Sequence, residues 1–200
     1  MDSNRILNFL VWMFIAYFSG SIPTGYWLGK LKGIDLTKIG SGSTGATNVL
    51  RNLGKWPALI TLLVDVLKGF LPVYLSTKLQ PYAFLVVIVA IFCVIGHSKS
   101  IFLNFKGGKS SATGLGILTA VSWEVALIVF SVWLIVVFTS RYSSLGSIVA
   151  VPLAPIGMYL IHKPKPYILL VTFAAVYIVL IRHRENIQRL IKGTEPKIGS

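Results

Sequence analysis

Long stretches without a charged side chain alternate along the chain with short segments that are rich in lysine, arginine and glycine. The uninterrupted stretches cover residues 6–29, 79–98, 142–162 and 166–181. Residues 56–77 are also mostly apolar but include two charges. Residues 110–140 are interrupted only by Glu124. Because about 20 apolar residues in a helix cross a bilayer core, this pattern predicts an all-α, polytopic integral membrane protein.

The number of spans depends on the arrangement of two of these stretches. If residues 110–140 form a hairpin of two short helices that turns near residues 122–124, the chain has seven spans. As a single span, the same residues would leave six spans and put the basic C-terminal tail on the side of the N-terminus. A five-span arrangement, with residues 142–162 re-entrant, keeps the sidedness of the seven-span arrangement. We expect seven spans in a single domain of residues 1–200, because no repeat or linker divides the chain.

Lysine and arginine are distributed unequally between the two sides that seven spans define, with Lys68 inside a span. One side carries Lys30, Lys32, Lys38, Arg51, Lys55, Lys99, Lys106, Lys109, Arg141, Arg182, Arg184, Arg189, Lys192 and Lys197. The other side carries only Arg5, Lys78, Lys163 and Lys165. Because cytoplasmic loops collect lysine and arginine, we expect the first side to be cytoplasmic. The N-terminus then lies outside and the C-terminus lies in the cytoplasm.

The composition excludes several other classes of protein. Hydrophobic residues make up 54% of the 200 residues and charged residues only 12%, about half the charged share of a soluble domain. The net charge of +13, in so apolar a chain, indicates anionic lipid or anionic substrates rather than nucleic acid. Cys93 is the single cysteine, which excludes a disulfide framework and a cysteine-based metal site.

The first polar segment contains the run Gly-Ser-Gly-Ser-Thr-Gly-Ala-Thr-Asn at residues 40–48, followed by Arg51. Small residues at this density let backbone N–H groups approach an anion, and the Arg51 guanidinium can add a bidentate contact. The run is not a Walker sequence, because no Gly-Lys-Ser/Thr closes it. An anion-binding loop and a flexible loop between helices are both compatible with the run alone.

The second polar segment contains Lys106-Gly107-Gly108-Lys109 just before an apolar stretch. Two ammonium groups and exposed backbone amides at the start of a helix favour phosphate binding. The alternative is a set of lysines that anchors the cytoplasmic end of a span. His97, at the end of the preceding span, can act as a base or pack as a hydrogen-bonded residue.

The third polar segment follows the last predicted span. His183 and Asn186 are three residues apart, so both can project from one face of a helix. Together they can hold a hydroxyl or a carbonyl group in place. Arg182 and Arg184 are explained equally well as basic residues at the membrane boundary.

Polar residues also occur within the predicted spans. Asp65 and Lys68 are one helical turn apart, and because charges in a low dielectric need partners, we expect them to pair. Ser144 and Ser147 are also three residues apart, near the cytoplasmic end of a span. Their hydroxyls can reach the polar segments or bond to a neighbouring helix.

Three basic, glycine-containing segments on one membrane face predict a protein that binds or converts phosphate-bearing small molecules at the lipid boundary. The His-x4-Asp sequence of soluble-style glycerolipid acyltransferases is absent, and no carboxylate pair suited to Mg²⁺ lies in the basic segments. The second absence argues against kinases and alcohol phosphotransferases. A transporter or channel for anionic phosphorylated metabolites is the alternative, and a scaffold subunit of lipid synthesis is a third possibility.

Four stretches of the sequence carry a resemblance to a known family. They are Gly-Ser-Ile-Pro-Thr-Gly at residues 20–25, the run from Ile34 to Lys55, Phe-Lys-Gly-Gly-Lys at residues 105–109, and Arg-His-Arg-Glu-Asn-Ile-Gln-Arg-Leu at residues 182–190. In this order they resemble the bacterial PlsY family, the acyl-phosphate:glycerol-3-phosphate acyltransferases. The resemblance extends over essentially the whole chain.

The resemblance implies a seven-helix membrane enzyme that transfers a fatty acyl group from acyl phosphate to the 1-hydroxyl of glycerol 3-phosphate. The products would be lysophosphatidic acid and phosphate, in the first step of bacterial phospholipid synthesis. No cofactor, metal or nucleic acid is implied, and the active site would face the cytoplasm from the cell (inner) membrane. The implied partners are the two substrates, membrane lipids and the enzyme that makes acyl phosphate.

The resemblance also implies catalytic roles. Ser41, with the backbone of Gly40 and Gly42, would contact the acyl phosphate. His183 and Asn186 would position glycerol phosphate or the reacting groups. Either a phosphate oxygen of the substrate or His183 would accept the hydroxyl proton.

Substrate binding is assigned to basic, small and polar residues of the same segments. Arg51 and Lys109 are the candidates for neutralising the phosphate groups. The remaining binding candidates are Thr47, Asn48, Lys106, Gly107, Gly108 and Ser147.

Overall fold

The structure, a computed structural model, describes residues 3–79 and 82–199. Within these residues the regular elements are helices, and no β-strand occurs. The α-helices are α1 (Ser3–Ser21), α2 (Thr24–Leu31), α3 (Ala46–Leu53), α4 (Lys55–Leu79), α5 (Ala83–Ser98), α6 (Ser111–Val121), α7 (Trp123–Ser140), α8 (Ser143–Ala150), α9 (Leu153–Leu160), α10 (Lys165–Val176) and α11 (Arg184–Ile191). A 3₁₀-helix covers Ile101–Leu103 and a π-helix covers Tyr177–Arg182. The predicted all-α class is confirmed.

The helices form two compact units, Met1–Val121 and Ser122–Ser200. The first unit contains α1 to α6, and the second contains α7 to α11. The assignment of residues 1–200 to one functional domain stays a prediction.

In the first unit, glycines let pairs of helices pack backbone against backbone. A Cβ atom at Gly20 of α1 would collide with the carbonyl oxygen of Cys93 in α5, and one at Gly116 of α6 would collide with that of Val66 in α4. Such close approach increases van der Waals contact, which drives helix association where lipid replaces water. Gly20 and Gly116 therefore serve helix packing in this unit.

In the second unit, the helix pair α8 and α9 is interrupted at Val151 and Pro152. A proline in this place removes a backbone donor and ends or kinks a helix. The chain then turns at His162, which has a positive φ of 54°, and α10 begins directly after Pro164. The break and the turn allow two apolar segments to run side by side.

Five segments are long and apolar enough to cross a membrane. They are Ile6–Leu31, Lys55–Leu79, Trp123–Ser140, Ser143–Leu160 and Lys165–Arg182. Two shorter apolar helices, Ala83–Ser98 and Ser111–Val121, accompany them. The predicted interruption near residues 122–124 is confirmed, because α6 ends at Val121 and α7 begins at Trp123.

These segments coincide with the apolar stretches in the sequence. The stretch of residues 79–98 includes residues 80 and 81, which lie outside the described part of the chain. The number of crossings and the side on which each terminus lies stay predictions. Large apolar side chains such as Phe14, Phe138 and Phe173 are exposed on these helices, as expected for surfaces that lipid covers.

Candidate active site

Asp35 lies at the start of the first polar segment, just after α2. Its Oδ1 accepts hydrogen bonds from the Thr37 hydroxyl (2.6 Å) and the Thr37 N–H (3.1 Å). Its Oδ2 accepts one from Lys30 Nζ at 3.1 Å. The hydrogen bonds from Thr37 and then from Lys30 lower the pKa of Asp35 to about 2. The ionised carboxylate therefore connects the start of the loop to the last turn of α2.

Asn48 is the residue around which the glycine-rich loop folds. Its side chain is buried, and its Nδ2 donates to three backbone carbonyl oxygens, those of Leu36 (3.3 Å), Ile39 (3.3 Å) and Ser43 (2.8 Å). Its Oδ1 accepts hydrogen bonds from the Ser41 N–H (3.1 Å) and from Asn52 Nδ2 (3.1 Å). Because buried polar groups are costly when they lose their partners, the conformation of the loop depends on this one side chain.

Gly40 and Gly42 flank Ser41, and their φ angles are 58° and 65°. Glycine adopts such values without the steric penalty of other residues. The Ser41 N–H is donated to Asn48, and the Gly42 N–H is donated to the Ile39 carbonyl oxygen at 3.0 Å. These two amides stabilise the loop, so the half-buried side chain of Ser41 is the group through which this residue can reach a substrate.

Helix α3 continues directly from the loop and carries Thr47 and Arg51. The two residues are four positions apart, so they lie on one face of the helix. Both side chains are half-buried. This face of α3 is separate from the Asn48 side chain, which points into the loop. The loop also packs on α2, where a Cβ atom at Gly25 would collide with the Thr44 carbonyl oxygen.

The Lys-Gly-Gly-Lys loop of the second segment packs on the end of α5. The Gly108 N–H donates to the carbonyl oxygen of His97 at 3.1 Å. A Cβ atom at Gly107 would collide with the same carbonyl oxygen, and one at Gly108 would collide with Nε2 of the His97 ring. The two glycines are therefore needed for the close approach of the backbone to His97.

The two lysines of this loop lie at its ends. Lys106 is exposed, and its carbonyl oxygen accepts a hydrogen bond from the Ser100 N–H at 3.1 Å. Lys109 is half-buried and stands two residues before α6. The predicted position of Lys109 at the start of a helix is confirmed.

Asp65 and Lys68 of α4 form the ion pair that their spacing predicts. Asp65 Oδ1 and Lys68 Nζ are 2.7 Å apart, and both side chains are about 4% exposed. His97 is also buried, and its Nδ1 lies 3.2 Å from the Thr113 hydroxyl. His97 therefore packs as a hydrogen-bonded residue, one of the two interpretations that the sequence allows.

In the second unit, the carboxylate of Glu195 is the centre of the polar contacts. Its Oε1 accepts hydrogen bonds from Ser144 Oγ (2.7 Å) and Asn186 Nδ2 (2.6 Å). Its Oε2 accepts one from Arg189 Nε at 2.7 Å. Because Ser144 lies on α8 and Asn186 on α11, Glu195 holds two helices and the C-terminal segment together. Asn186 is buried, and its contact with Glu195 sets the direction of its amide group.

Ser147 and Ser144 have different partners although both are buried. The Ser147 hydroxyl donates to the carbonyl oxygen of Ser143, one turn earlier in the same helix, at 3.3 Å. Of these two hydroxyls, that of Ser144 reaches the third polar segment, through Glu195. The structure thus favours Ser144 over Ser147 as the serine that connects α8 to that segment.

His183 directly precedes α11 and is buried. Its Nδ1 lies 2.8 Å from the carbonyl oxygen of Ile178, within the π-helix that follows α10. Because a carbonyl can only accept, we infer that Nδ1 carries a proton, so that in the neutral form of the ring Nε2 is the acceptor nitrogen. In this tautomer Nε2 can accept a hydrogen bond or a proton from a hydroxyl group.

Comparison with known proteins connects this arrangement of polar segments to a family. The family model described as glycerol-3-phosphate acyltransferase matches residues 10–193. The chain belongs to this family. It is therefore related to a class of transferases, and the transporter and scaffold interpretations lose their support.

Curated relatives agree over nearly the whole length of the chain. The glycerol-3-phosphate acyltransferase of Synechococcus sp. (strain JA-2-3B'a(2-13)) is 52% identical over 185 residues, which cover 92% of each protein. That of Trichormus variabilis (strain ATCC 29413 / PCC 7937) is 48% identical over an alignment of 203 positions, which covers 92% of this chain and 89% of the relative. That of Gloeobacter violaceus (strain ATCC 29082 / PCC 7421) is 46% identical and covers 92% of each.

Two solved structures of the family share the fold. The crystal structure of PlsY, an integral membrane glycerol 3-phosphate acyltransferase, in its glycerol 3-phosphate form is 39% identical, covers 96% of each chain and has a TM-score of 0.92. The lysophosphatidic acid form is 38% identical, with the same coverage and a TM-score of 0.89. The chain is thus an integral membrane protein with several spans, as PlsY is.

Within the first unit of this family member, the structure brings Ser41, Asn48 and the flanking glycines into one loop. Within the second unit, it places His183 and Asn186 at the start of α11. Sequence reasoning did not single out Glu195, whose carboxylate orders the third polar segment. One signal was available, because the chain has only 6 acidic residues and a carboxylate among so many basic residues is unusual.

We expect the stability of the protein to fall in acid because of Glu195. Burial by itself would raise the pKa of Glu195, but the hydrogen bonds from Ser144, Arg189 and Asn186 outweigh it and hold the pKa below the ordinary value of 4.5. A carboxylate with a lowered pKa in the folded state stabilises the fold at pH values above its ordinary pKa, and this contribution is lost as the pH falls through the folded-state pKa. Thermal unfolding in detergent between about pH 6 and about pH 3 measures the effect. If Glu195→Gln loses stability in acid as steeply as the wild type, Glu195 is not the group responsible.

Proposed function

We propose that this protein transfers a fatty acyl group from acyl phosphate to the 1-hydroxyl of glycerol 3-phosphate and releases lysophosphatidic acid and phosphate. The observation that carries the proposal is the family match over residues 10–193, together with the presence of both basic, glycine-rich loops in the fold. Its structural relative PlsY is described in a glycerol 3-phosphate form and in a lysophosphatidic acid form. These are the acceptor and the product of the proposed reaction.

The proposed reaction needs alignment and charge neutralisation more than acid catalysis. The 1-hydroxyl oxygen attacks the acyl carbonyl carbon, and the bond between that carbon and the phosphate oxygen breaks. Phosphate is a stable anion, so it leaves without help from a strong acid. Both substrates are anionic, and positive side chains must bring them together and stabilise the developing oxyanion. The hydroxyl proton passes to a phosphate oxygen or to His183.

The basic and polar residues then have separate roles. Arg51 and Lys109 neutralise the phosphate groups. Their half-buried positions, each beside a glycine-rich loop, support this assignment. The Ser41 hydroxyl contacts the acyl phosphate. The remaining candidates for substrate binding in the first unit are Gly40, Gly42, Thr47, Asn48, Lys106, Gly107 and Gly108.

In the second unit, His183 and Asn186 position glycerol 3-phosphate or the reacting groups. Ser147 stays a candidate, although its hydroxyl bonds to its own helix. Asn186 is oriented by Glu195, which makes Glu195 a positioning residue for the proposed reaction.

We expect His183→Ala to lower kcat by about tenfold, because the variant loses one hydrogen bond that aligns the attacking hydroxyl. His183→Gln, which places an amide near the position of Nε2, is expected to retain part of the rate. The measurement is the steady-state rate at saturating glycerol 3-phosphate. A loss of about 100-fold or more would instead assign His183 as the general base, and an unchanged kcat would remove it from the catalytic site.

One assay tests the proposed function. Purified protein is incubated with labelled glycerol 3-phosphate and, in separate reactions, with palmitoyl phosphate, palmitoyl-CoA or palmitoyl acyl carrier protein. We expect lysophosphatidic acid to form only with palmitoyl phosphate, with one phosphate released per product. Product formation only from palmitoyl-CoA or from the carrier protein would contradict the proposed donor. The absence of product from every donor would contradict the proposed function.

We also propose that the active site faces the cytoplasm from the bacterial inner membrane, with the N-terminus outside. The positive charge of the polar segments supports this orientation. Because the native Cys93 is buried, single cysteines introduced elsewhere can be labelled selectively. In intact cells, a membrane-impermeant thiol reagent is expected to label Lys163→Cys but not Ser43→Cys. Labelling of Ser43→Cys from outside would reverse the orientation.

A further inference from the structure

A group of buried polar side chains connects α4, α5 and α6 of the first unit. The Asp65–Lys68 ion pair is in the middle of α4, which is one of the five apolar helices long enough to cross a membrane. His97 Nδ1 lies 3.8 Å from Asp65 Oδ1 and 3.2 Å from the Thr113 hydroxyl. We refer to Asp65, Lys68, His97 and Thr113 as the buried cluster. Burying an ion pair in a span is costly, and an apolar pair of similar volume is often as stable. Stability alone therefore does not explain the pair.

One end of the buried cluster holds the break between α1 and α2. Lys68 Nζ donates to the carbonyl oxygen of Ile22 at 2.9 Å. Ile22 lies between the end of α1 at Ser21 and the start of α2 at Thr24. Lys68 therefore supplies a charged donor to a backbone oxygen at the point where the helix is interrupted.

This break contacts both polar segments of the first unit. The carbonyl oxygen of Ser21 accepts a hydrogen bond from the Ser100 hydroxyl, which belongs to the second segment. Gly25, on the other side of the break, packs so closely on the first segment that an added Cβ atom would collide with the Thr44 carbonyl oxygen. A shift of the break would therefore move both loops.

The other end of the buried cluster supports the Lys-Gly-Gly-Lys loop directly. Gly108 packs on Nε2 of the His97 ring, and its N–H donates to the His97 carbonyl oxygen. The opposite nitrogen of the ring, Nδ1, faces Thr113 and Asp65. The contacts of Nδ1 therefore fix the position of the His97 ring. The ring in turn fixes the position of Gly108 and of the loop next to Lys109.

We propose that Asp65 and Lys68 are positioning residues that set the spacing between the two phosphate-binding loops, Lys68 through the α1–α2 break and Asp65 through the His97 ring. The inference rests on the proposed function, because it concerns the loops that bind phosphate in that reaction. In this proposal neither residue acts by direct contact with substrate. The ion pair fixes the position of the Lys68–Ile22 contact relative to that of the Asp65–His97 contact. Its two charged groups are 2.7 Å apart, and in a medium of low dielectric the attraction between them is strong.

The double variant Asp65→Leu/Lys68→Met tests the proposal. It replaces the pair by apolar side chains of similar size, so the helix remains compatible with the membrane and no single charge is left buried. We expect KM for at least one substrate to rise by roughly tenfold or more, whereas kcat changes less, because a displaced loop weakens binding. Ser76→Ala is the matched control. Ser76 is a buried polar residue of the same helix whose hydroxyl donates to the Val73 carbonyl oxygen in its own turn. Its replacement is expected to leave both constants unchanged.

A folded double variant with unchanged KM values would overturn the proposal and leave the pair a purely structural feature. If the double variant does not fold, a second test compares the effect of Gly108→Ala on KM in the wild type and in the His97→Asn background. Gly108→Ala alone forces a methyl group against the His97 ring and is expected to raise KM by roughly tenfold or more. In the His97→Asn background, which keeps a hydrogen-bonding group near the position of Nδ1 but removes the rest of the ring, the same substitution is expected to raise KM much less. Equal costs in both backgrounds would overturn the proposed support of the loop by His97.

A distance measurement separates this inference from the proposed function. Spin labels at Lys38→Cys and Asn104→Cys, two exposed positions next to the two loops, report their separation without any turnover. We expect the distance distribution of the double variant to shift or broaden relative to the wild type. If the wild type makes no product but the distribution changes, the positioning role stands and the proposed donor or reaction is wrong. An unchanged distribution overturns the positioning role whatever the activity.

Discussion

Replacing Arg51 by alanine is expected to lower kcat/KM by about 100-fold or more, through the loss of charge-assisted hydrogen bonds to a substrate phosphate. Arg51 lies on the half-buried face of α3 that also carries Thr47, directly after the loop that Asn48 holds together. On this face its guanidinium can approach an anion in two-point contact, whereas the conformation of the loop depends on other side chains. We therefore expect the loss to appear in substrate binding rather than in the amount of folded protein. Lys109→Ala is expected to act in the same way at the second loop.

Steady-state kinetics with both substrates varied, together with the thermal unfolding midpoint of each variant, measures this effect. Arg51→Lys keeps the positive charge but not the planar fork of donors, so its activity should fall between those of the wild type and Arg51→Ala. Lys38→Ala is the matched control. It removes an exposed positive charge from the same polar segment and should leave kcat/KM near the wild-type value. A rate near that of the wild type for Arg51→Ala would remove Arg51 from the active site.

Replacing Glu195 by glutamine is expected to lower the free energy of unfolding by about 3 kcal/mol, because it removes the negative charge of a buried ion pair and leaves the positive partner in place. The Glu195 side chain is 3% exposed and accepts hydrogen bonds from Ser144, Asn186 and Arg189. A carboxamide offers one acceptor oxygen instead of two and turns two N–H donors toward groups that are themselves donors. Arg189 then loses its close counter-charge, and the direction of the Asn186 amide is no longer set.

The matched control for this variant is Glu185→Gln. Glu185 also pairs with Arg189, but the distance is 3.9 Å and the Glu185 side chain is 77% exposed. Because exposed ion pairs contribute little, this change should lower stability by less than about 1 kcal/mol. Unfolding by heat and by denaturant in the same detergent compares the two variants. Equal losses of stability in both would show that the buried network around Glu195 does not order the C-terminal segment.

The apolar stretches and the break between α6 and α7 could be predicted from the sequence, because they depend on local properties. The length of an apolar run decides whether a helix can cross a bilayer, and a charged residue such as Glu124 marks where a run is interrupted. The Asp65–Lys68 pair was predictable for the same reason, since residues three positions apart in a helix are neighbours. The glycine-rich loops were predicted from the sequence as anion-binding candidates. Which of their backbone and side-chain groups bond within the loops could not be predicted.

The partners of individual polar side chains depend on the tertiary structure. Ser144 and Ser147 have equivalent sequence environments, but Ser144 reaches Glu195, 51 residues further along the chain, whereas Ser147 bonds within its own helix. No sequence pattern encodes this difference, because it depends on the rotation of α8 relative to the C-terminal segment. Asn48 shows the same limit, since its four side-chain hydrogen bonds to the loop require the loop to be folded before they exist.

The sequence by itself determined that this is a helical membrane protein with basic, glycine-rich segments and, through its motifs, which family it resembles. These properties follow from hydrophobicity, charge and short spacings, which act locally along the chain. Only the tertiary structure decided that Asn48 organises the first loop, that His97 supports the second loop, and that Glu195 orders the third segment. Each of these roles depends on hydrogen bonds or van der Waals contacts over a few ångströms, and only packing brings the groups that make them together.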